Sequence, residues 1–185
     1  SQEGKMSIRI NAMLYLPSDN WQQTLVKGHY QSSDDMLTFN SVKIQADGAL
    51  GSRGAALIED YSDHPGHRGL LLNTPKEFEQ LVNTSMKLGF QVNSHAIGDN
   101  ANKLVLDTYE KYIKKTDSKI LRHRVEHAQV LRLEDIPRFS ELGIIASMQA
   151  THATSDKNMA QNRLGADRIL GAYAWQKLLN ANAII

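Results

Sequence analysis

Between residues 39 and 149 the chain changes its hydrophobic period again and again, and no other feature restricts its fold as strongly. Phe39 to Ala46, Phe90 to His95, Arg122 to His127 and Ile144 to Gln149 read as short strands, as does Ile8 to Leu16 nearer the start. Helical spacing fills the intervals. Thr74-Pro75-Lys76-Glu77 predicts a helix start, with Thr74 as N-cap, Pro75 in the first turn and Glu77 closing a capping box. Phe78, Leu81, Val82, Ser85 and Leu88 then share one stripe, and Gly89 ends it. Asp99 opens a second helix with Ala101, Leu104, Val105, Thr108, Tyr109 and Tyr112 facing inward. Ile136, Phe139 and Leu142 mark a third, closed by Gly143, and a last helix runs near Ala172 to Leu179. Gly48 to Asn73 reads as a long, flexible, glycine-bearing loop.

Strands separated by helices imply right-handed crossovers and a parallel sheet, either doubly wound or closed as a barrel. Side-chain alternation selects between them. Lys43, Gln45 and Asp47 lie on one face of their strand and Val42, Ile44 and Ala46 on the other; Gln91, Asn93 and His95 oppose Phe90, Val92 and Ser94 on the next. A doubly wound sheet covered on both faces reads as nearly continuous apolar runs, whereas an enzyme barrel tolerates polar side chains pointing inward near its active end. The expected fold is therefore α/β, a partial TIM-like (β/α) barrel with about five of eight parallel strands, since a whole barrel takes about 250 residues. Residues 1–185 are read as its central and C-terminal part. The first strands and the last strand would lie outside, with the apolar run 182–185 entering the last one.

Composition excludes several function classes. With 41% hydrophobic residues the chain can bury a sizeable core. Its net charge of +1, from 21 basic and 20 acidic side chains without sign-sorted blocks, gives no support to a nucleic-acid or membrane-surface role. No stretch reaches the roughly 18 apolar residues of a spanning helix, and Ser1 to Ile10 lacks a leader's apolar region. A cytoplasmic location and a small-molecule partner are the expectation. A part-barrel also exposes strand edges and apolar surface that can drive homo-oligomer formation. The chain has no cysteine, so any bound metal must be held by His, Asp, Glu or a modified Lys.

Reacting groups of a βα-barrel sit where strands end. Lys43 lies just before Asp47-Gly48, His95 before Gly98-Asp99, and His127 at the end of its strand. Two neutral imidazoles on adjacent strand ends can converge on one divalent ion, although each alone is better explained as a hydrogen-bonded structural histidine, and only as a pair do the two readings weigh evenly. An inward-facing lysine must be paired, deprotonated or modified. Lys43 can thus be a salt-bridge partner of Asp47, a Schiff-base nucleophile, or a carboxylated oxygen ligand. His123 shares a strand face with His127 and can line the same cavity or be packed away. His152 follows the next strand and can reach a substrate, and Arg53 in the glycine-bearing loop can hold a substrate carboxylate. His29, His64 and His67 are assigned to the surface. Gly48, Gly51 and Gly54 do not have the spacing of a nucleotide-binding loop.

These residues resemble the amidohydrolase superfamily, in particular its branch called amidohydrolase family 3. The resemblance is carried by Val42-Lys43-Ile44-Gln45-Ala46-Asp47-Gly48-Ala49-Leu50-Gly51-Ser52-Arg53, by His95-Ala96-Ile97-Gly98-Asp99, and by His123-Arg124-Val125-Glu126-His127-Ala128-Gln129. Ala146-Ser147-Met148-Gln149, Thr151-His152-Ala153-Thr154 and Gly171-Ala172-Tyr173-Ala174-Trp175 complete it. It implies a barrel with a metal centre of one or two divalent ions, zinc foremost. Lys43 resembles the carboxylated bridging lysine, His95 the ligand on the fifth strand and His127 the ligand on the sixth. Such a centre implies hydrolysis of carbon–nitrogen bonds outside peptides, in amides or N-acyl and N-formyl amines, by metal-activated water. The family's His-x-His pair does not occur in the 185 residues, nor is its eighth-strand aspartate present. The chain alone is therefore expected to bind metal weakly and to turn over no substrate. A Schiff-base barrel lyase and a non-catalytic regulatory relative are the competing readings.

Overall fold

A computed structural model of the chain describes residues 7–185, so most of the Ser1 to Ile10 reading lies outside the described residues. The elements in chain order are β1 (Ile10–Leu16), α1 (Trp21–Val26), β2 (Tyr30–Gln31), β3 (Leu37–Gln45), α2 (Pro75–Lys87), β4 (Gln91–Ala96) and α3 (Asp99–Thr116). There follow β5 (Arg124–His127), α4 (Ile136–Leu142), β6 (Ile145–Ser147), α5 (Ala150–Ser155), α6 (Lys157–Arg168) and α7 (Trp175–Asn180). Every expected strand and helix is present within a few residues. The connection after β1 forms α1 and a two-residue strand, β2, that pairs antiparallel with the start of β3.

The sheet settles the choice between the two parallel architectures. β1, β3, β4, β5 and β6 are hydrogen-bonded in that order and all pair in parallel. Strand order follows chain order without the reversal that defines a doubly wound sheet. Helices accumulate in the same sequence, α2 packing on α3, α3 on α4, and α4 on α7. This is a partial TIM-like barrel with five parallel strands. Ile184 adds a parallel bridge to Ile145, in keeping with the strand-like reading of residues 182–185.

The two faces divide as the alternation predicts. Val42, Ile44, Val92, Val125 and Ala146 are fully buried, as are Phe78, Val105 and Phe139 in the helices that cover them. On the inner face Tyr15 hydrogen-bonds Gln45 at 2.8 Å, and the Arg124 guanidinium reaches Asn93 Oδ1 at 2.6 Å and Met13 Sδ at 4.0 Å. α2 begins as expected: Glu77 N–H donates to Thr74 Oγ1 at 3.3 Å, and the Glu77 carboxylate accepts from Thr74 N–H at 2.9 Å.

Two expectations are corrected. The loop 48–73 is packed rather than flexible. Leu50, Ala55, Leu57 and Tyr61 are buried against Ile97, Val130, Ala160 and Leu164. Its outer side is held by α6, where Arg163 pairs with Asp63 and Arg168 donates to the carbonyls of Glu59 (3.1 Å) and Asp60 (2.7 Å). Asp99 does not cap α3 from outside: the N-cap is Gly98, and the Asp99 carboxylate accepts from Ile58 N–H at 3.0 Å and Asn100 N–H at 2.9 Å. Gly98 is required by close approach, because a Cβ there would lie 2.0 Å from the Ala56 carbonyl oxygen. Among the described residues no helix is long and apolar enough to cross a membrane.

Candidate metal centre

Parallel register brings the strand-end side chains together. Gln45 pairs with His95, His95 with Glu126, and Ala96 with His127. The His95 and His127 rings stand edge to face with centroids 4.6 Å apart. Their approach depends on the backbone leaving strand geometry: His127 has φ 78° and Ala128 φ 42°, a left-handed conformation uncommon for residues with a Cβ. His152, on α5, stacks on the other face of the cluster, its ring 5.1 Å from His127 and within 12° of parallel. Burial lowers the His127 pKa; the hydrogen bond to Gln149 opposes this, while the nearby charges of His95, Lys43 and His152 add to the lowering. Lys43 is thus one of the charged groups that act on His127.

Each imidazole has one nitrogen assigned by its neighbours. His127 Nδ1 lies 2.7 Å from Gln149 Oε1, and the Gln149 amide is oriented by its own Nε2 donating to the Ser147 carbonyl at 3.0 Å. His127 thus carries its proton on Nδ1 and leaves Nε2 bare. His95 Nε2 faces only oxygens, Asp47 Oδ1 at 3.4 Å and the Gly48 carbonyl at 3.5 Å, which puts its proton on Nε2 and leaves Nδ1 bare. A hydrogen bond fixing one ring nitrogen while the other is free is the usual arrangement of a metal-ligating histidine. Among the described residues no three His, Cys, Asp or Glu side chains gather to hold a metal ion. The two bare imidazole nitrogens fit a divalent cation as a partial ligand set, and the Lys43 charge acts on one of the two rings.

Lys43 does not pair with Asp47. The Asp47 carboxylate is fully buried and accepts three backbone N–H groups, from Ala56 at 2.9 Å, Ile97 at 3.0 Å and Gly98 at 2.8 Å. Burial lowers the Lys43 pKa, the Glu126 charge opposes that, and Arg124 reinforces it. Glu126 Oε1 is itself buried without a hydrogen-bond partner, although Arg124 Nε stands 3.2 Å away in an ion pair of poor hydrogen-bond geometry. Asn102, absent from the sequence reading, ties the rim together by donating to the Gly98 carbonyl at 2.9 Å and the Val130 carbonyl at 3.1 Å.

Two expected site residues stand apart. Arg53 is committed to Asp63 through two contacts of 3.1 Å. His123 precedes β5 at the opposite end of the strand from His127 and is 1% exposed. Its Nδ1 accepts Val92 N–H at 3.0 Å, and Nε2 faces Ser118 Oγ at 3.0 Å. Protonating Nδ1 would set two donors against each other in a buried place, and burial pushes the His123 pKa down to about 4. The folded value lies below the unfolded one, so this group's stabilisation is complete above pH ~6.5 and is lost as pH falls toward ~4. At 1.36 kcal/mol per unit the loss is about 3 kcal/mol. Urea unfolding of the 185-residue chain at pH 7 and pH 4 is expected to show it, and an identical pH slope in His123→Gln would refute the assignment.

Comparisons with known proteins identify the family and the fold. A family model described as "Amidohydrolase family" matches residues 1–185. Protein LONG AFTER FAR-RED 3 of Arabidopsis thaliana is 37% identical over 186 residues, covering 98% of this chain and 31% of that protein. YtcJ of Bacillus subtilis (strain 168) is 35% identical over 179 residues, 96% of this chain and 32% of YtcJ. The crystal structure of an uncharacterised metal-dependent hydrolase from Pyrococcus horikoshii OT3 superimposes with a TM-score of 0.80 at 30% identity, over 97% of this chain and 35% of that one. The chain spans about a third of the length of the relatives it matches. With all 185 residues matched and the strand-end histidines converging at the rim of a parallel part-barrel, this chain belongs to the amidohydrolase family.

Proposed function

We propose that the full-length protein is a metal-dependent hydrolase of carbon–nitrogen bonds outside peptides, acting on amides or N-acyl and N-formyl amines. The 185 residues supply the middle and later part of its barrel, and further ligands come from the rest of the longer protein. The observation that carries this reading is the convergence of His95 and His127 at 4.6 Å, each with one ring nitrogen fixed and the other bare. Lys43, His95 and His127 would hold one or two divalent ions, zinc first by its preference for imidazole and oxygen donors. When bound, such an ion polarises a scissile carbonyl and makes water more acidic.

The chain's own residues prepare the site. Gln149 holds His127 in the tautomer that presents Nε2, and Asp47 with the Gly48 carbonyl does the converse for His95. Burial favours the neutral amine of Lys43, which can add carbon dioxide. The nitrogen–carbon bond forms, the proton lost from the nitrogen passes to water or buffer base, and the carbamate would be an anionic oxygen donor. A Schiff-base lyase would use the same amine, and borohydride trapping of substrate on Lys43 separates the two chemistries.

Zinc titration of the full-length protein in bicarbonate buffer tests the reading, together with a panel of secondary amides and N-formyl amines. Stoichiometric, tightly held zinc and amide turnover are expected, whereas the 185-residue chain alone binds weakly and turns over none. Gln149→Ala is expected to weaken zinc binding by about 10–100-fold through loss of the His127 orientation. A full-length protein with tight zinc and no activity toward any amide would leave the non-catalytic reading in place.

A further inference from the structure

We infer that His152 is the substrate-facing hydrogen-bond acceptor of this site, held by Gln129, Asp156 and Tyr173 so that it favours substrates bearing an N–H donor beside the scissile carbonyl. The inference rests on the hydrolase reading above and specifies its substrate class.

A chain of hydrogen bonds, its direction fixed at its far end, leads to His152. Asp156 Oδ2 has only lone pairs to offer, and it receives Gln129 Nε2 at 2.9 Å and the Tyr173 hydroxyl at 2.9 Å. The Tyr173 oxygen in turn accepts from Gln129 Nε2 at 3.1 Å. Burial and the Asp156 carboxyl both raise the Tyr173 pKa, so the phenol remains a donor. With the Gln129 amide nitrogen directed at these two oxygens, its Oε1 must face the other way. It lies 2.8 Å from His152 Nδ1. An amide oxygen cannot donate, so Nδ1 carries the proton and His152 Nε2 is a bare acceptor.

Backbone contacts keep the relay in place. Tyr173 N–H donates to the Gln129 carbonyl at 2.8 Å, and Val130 bridges Ala172 in antiparallel fashion. Gln129 itself is 3% exposed. This assembly holds a ring that lies stacked on His127, in the same cluster as the proposed metal ligands, and no protein group occupies its second nitrogen among the described residues. Three buried or half-buried polar side chains spent on fixing one imidazole tautomer call for an external donor on its open side. An acyl or formyl amine with a secondary nitrogen offers that donor next to its carbonyl, and a tertiary amide does not. Gln129, Asp156 and Tyr173 are positioning residues, acting through His152.

Two readouts test this. In the 185-residue chain, imidazole nitrogen chemical shifts by NMR are expected to show His152 with its proton on Nδ1. Gln129→Met should release it to the tautomer protonated on Nε2 that imidazole prefers in water. Asp156→Asn keeps an oxygen for both donors and should preserve the Nδ1–H form. Finding His152 protonated on Nε2 in the unaltered chain overturns the inference without touching the hydrolase reading, and so does an unchanged tautomer in Gln129→Met. In the zinc-loaded full-length enzyme, Gln129→Met should lower kcat/KM about tenfold on an N-acetyl secondary amide, the effect of one lost hydrogen bond. Its N-methylated tertiary counterpart should change little. Equal losses on both amides overturn the inference. If the unaltered enzyme hydrolyses neither amide, the substrate class falls and the acceptor role falls with it, while the nitrogen shifts still report whether the relay fixes the ring.

Discussion

Replacing His127 by alanine in the full-length protein is expected to lower amide-hydrolysing activity by about a thousandfold while leaving the barrel folded. The magnitude follows from the proposed centre: a metal ion contributes several kcal/mol to stabilising developing charge, and each 1.36 kcal/mol is tenfold in rate. His127 is only half-buried, and its hydrogen bond to Gln149 is a local one at the strand end, so its loss should cost little stability. His95→Ala should have a similar effect on activity, because the two rings converge on the same volume at 4.6 Å. Since the ligands act as one unit, the double variant should lose scarcely more than either single one. The measurements are kcat/KM and bound zinc on the same samples, with Lys103→Ala on the exposed side of α3 as a control. Additive losses, or an inactive variant that keeps its full zinc content, would break the link between these histidines and the metal.

Much of this architecture is legible in the sequence because it depends on local chemistry. The Thr74–Glu77 capping box, the closing Gly143 and the alternation around Lys43 and His95 all involve residues close along the chain, and all appear as expected. That His95 and His127 lie at the same end of neighbouring parallel strands follows from each standing at a strand end. What could not be read is whatever depends on long-range backbone geometry. Period-two reasoning puts His123 and His127 on one face, but β5 begins only at Arg124 and the left-handed turn at His127 carries its ring off the strand. Lys43 and Asp47 share a strand face on paper, yet Asp47 answers to N–H groups 9, 50 and 51 residues away. α6 escaped notice because, among its described side chains, only Ala160 and Leu164 are buried; what it contributes is ion pairing to the loop 48–73 rather than a broad apolar stripe. The Gln129 relay carried a faint signal, a glutamine and a tyrosine within quoted motifs, but nothing in their spacing of 44 residues says that they touch.

Asp47 carries the largest expected effect on stability. Its side chain is fully buried and is the acceptor for three backbone donors on two separate segments, Ala56 in the packed loop and Ile97 and Gly98 after β4. Asp47→Ala leaves all three without a partner in a place closed to water. At about 1–3 kcal/mol for each buried unsatisfied donor, the expected loss is about 5 kcal/mol. Domain stability is about 5–15 kcal/mol, so the variant is expected to be largely unfolded or to unfold in very little urea. Asp47→Asn separates the hydrogen-bonding role from mere occupancy. Ala56 and Gly98 both address Oδ2, so an amide oxygen placed there keeps two bonds, while the amide nitrogen opposes Ile97 N–H and costs about 2 kcal/mol. The same nitrogen would face His95 Nε2, which Asp47 Oδ1 now approaches at 3.4 Å, and would turn that ring toward the tautomer protonated on Nδ1. Asp47→Asn is therefore expected to fold with reduced stability and to bind zinc more weakly in the full-length protein. Urea unfolding of the chain together with zinc titration of the full-length protein decides it: a stable Asp47→Ala variant would show that the loop and the β4 rim do not depend on this carboxylate, and undiminished zinc affinity in Asp47→Asn would show that His95 is oriented by something else.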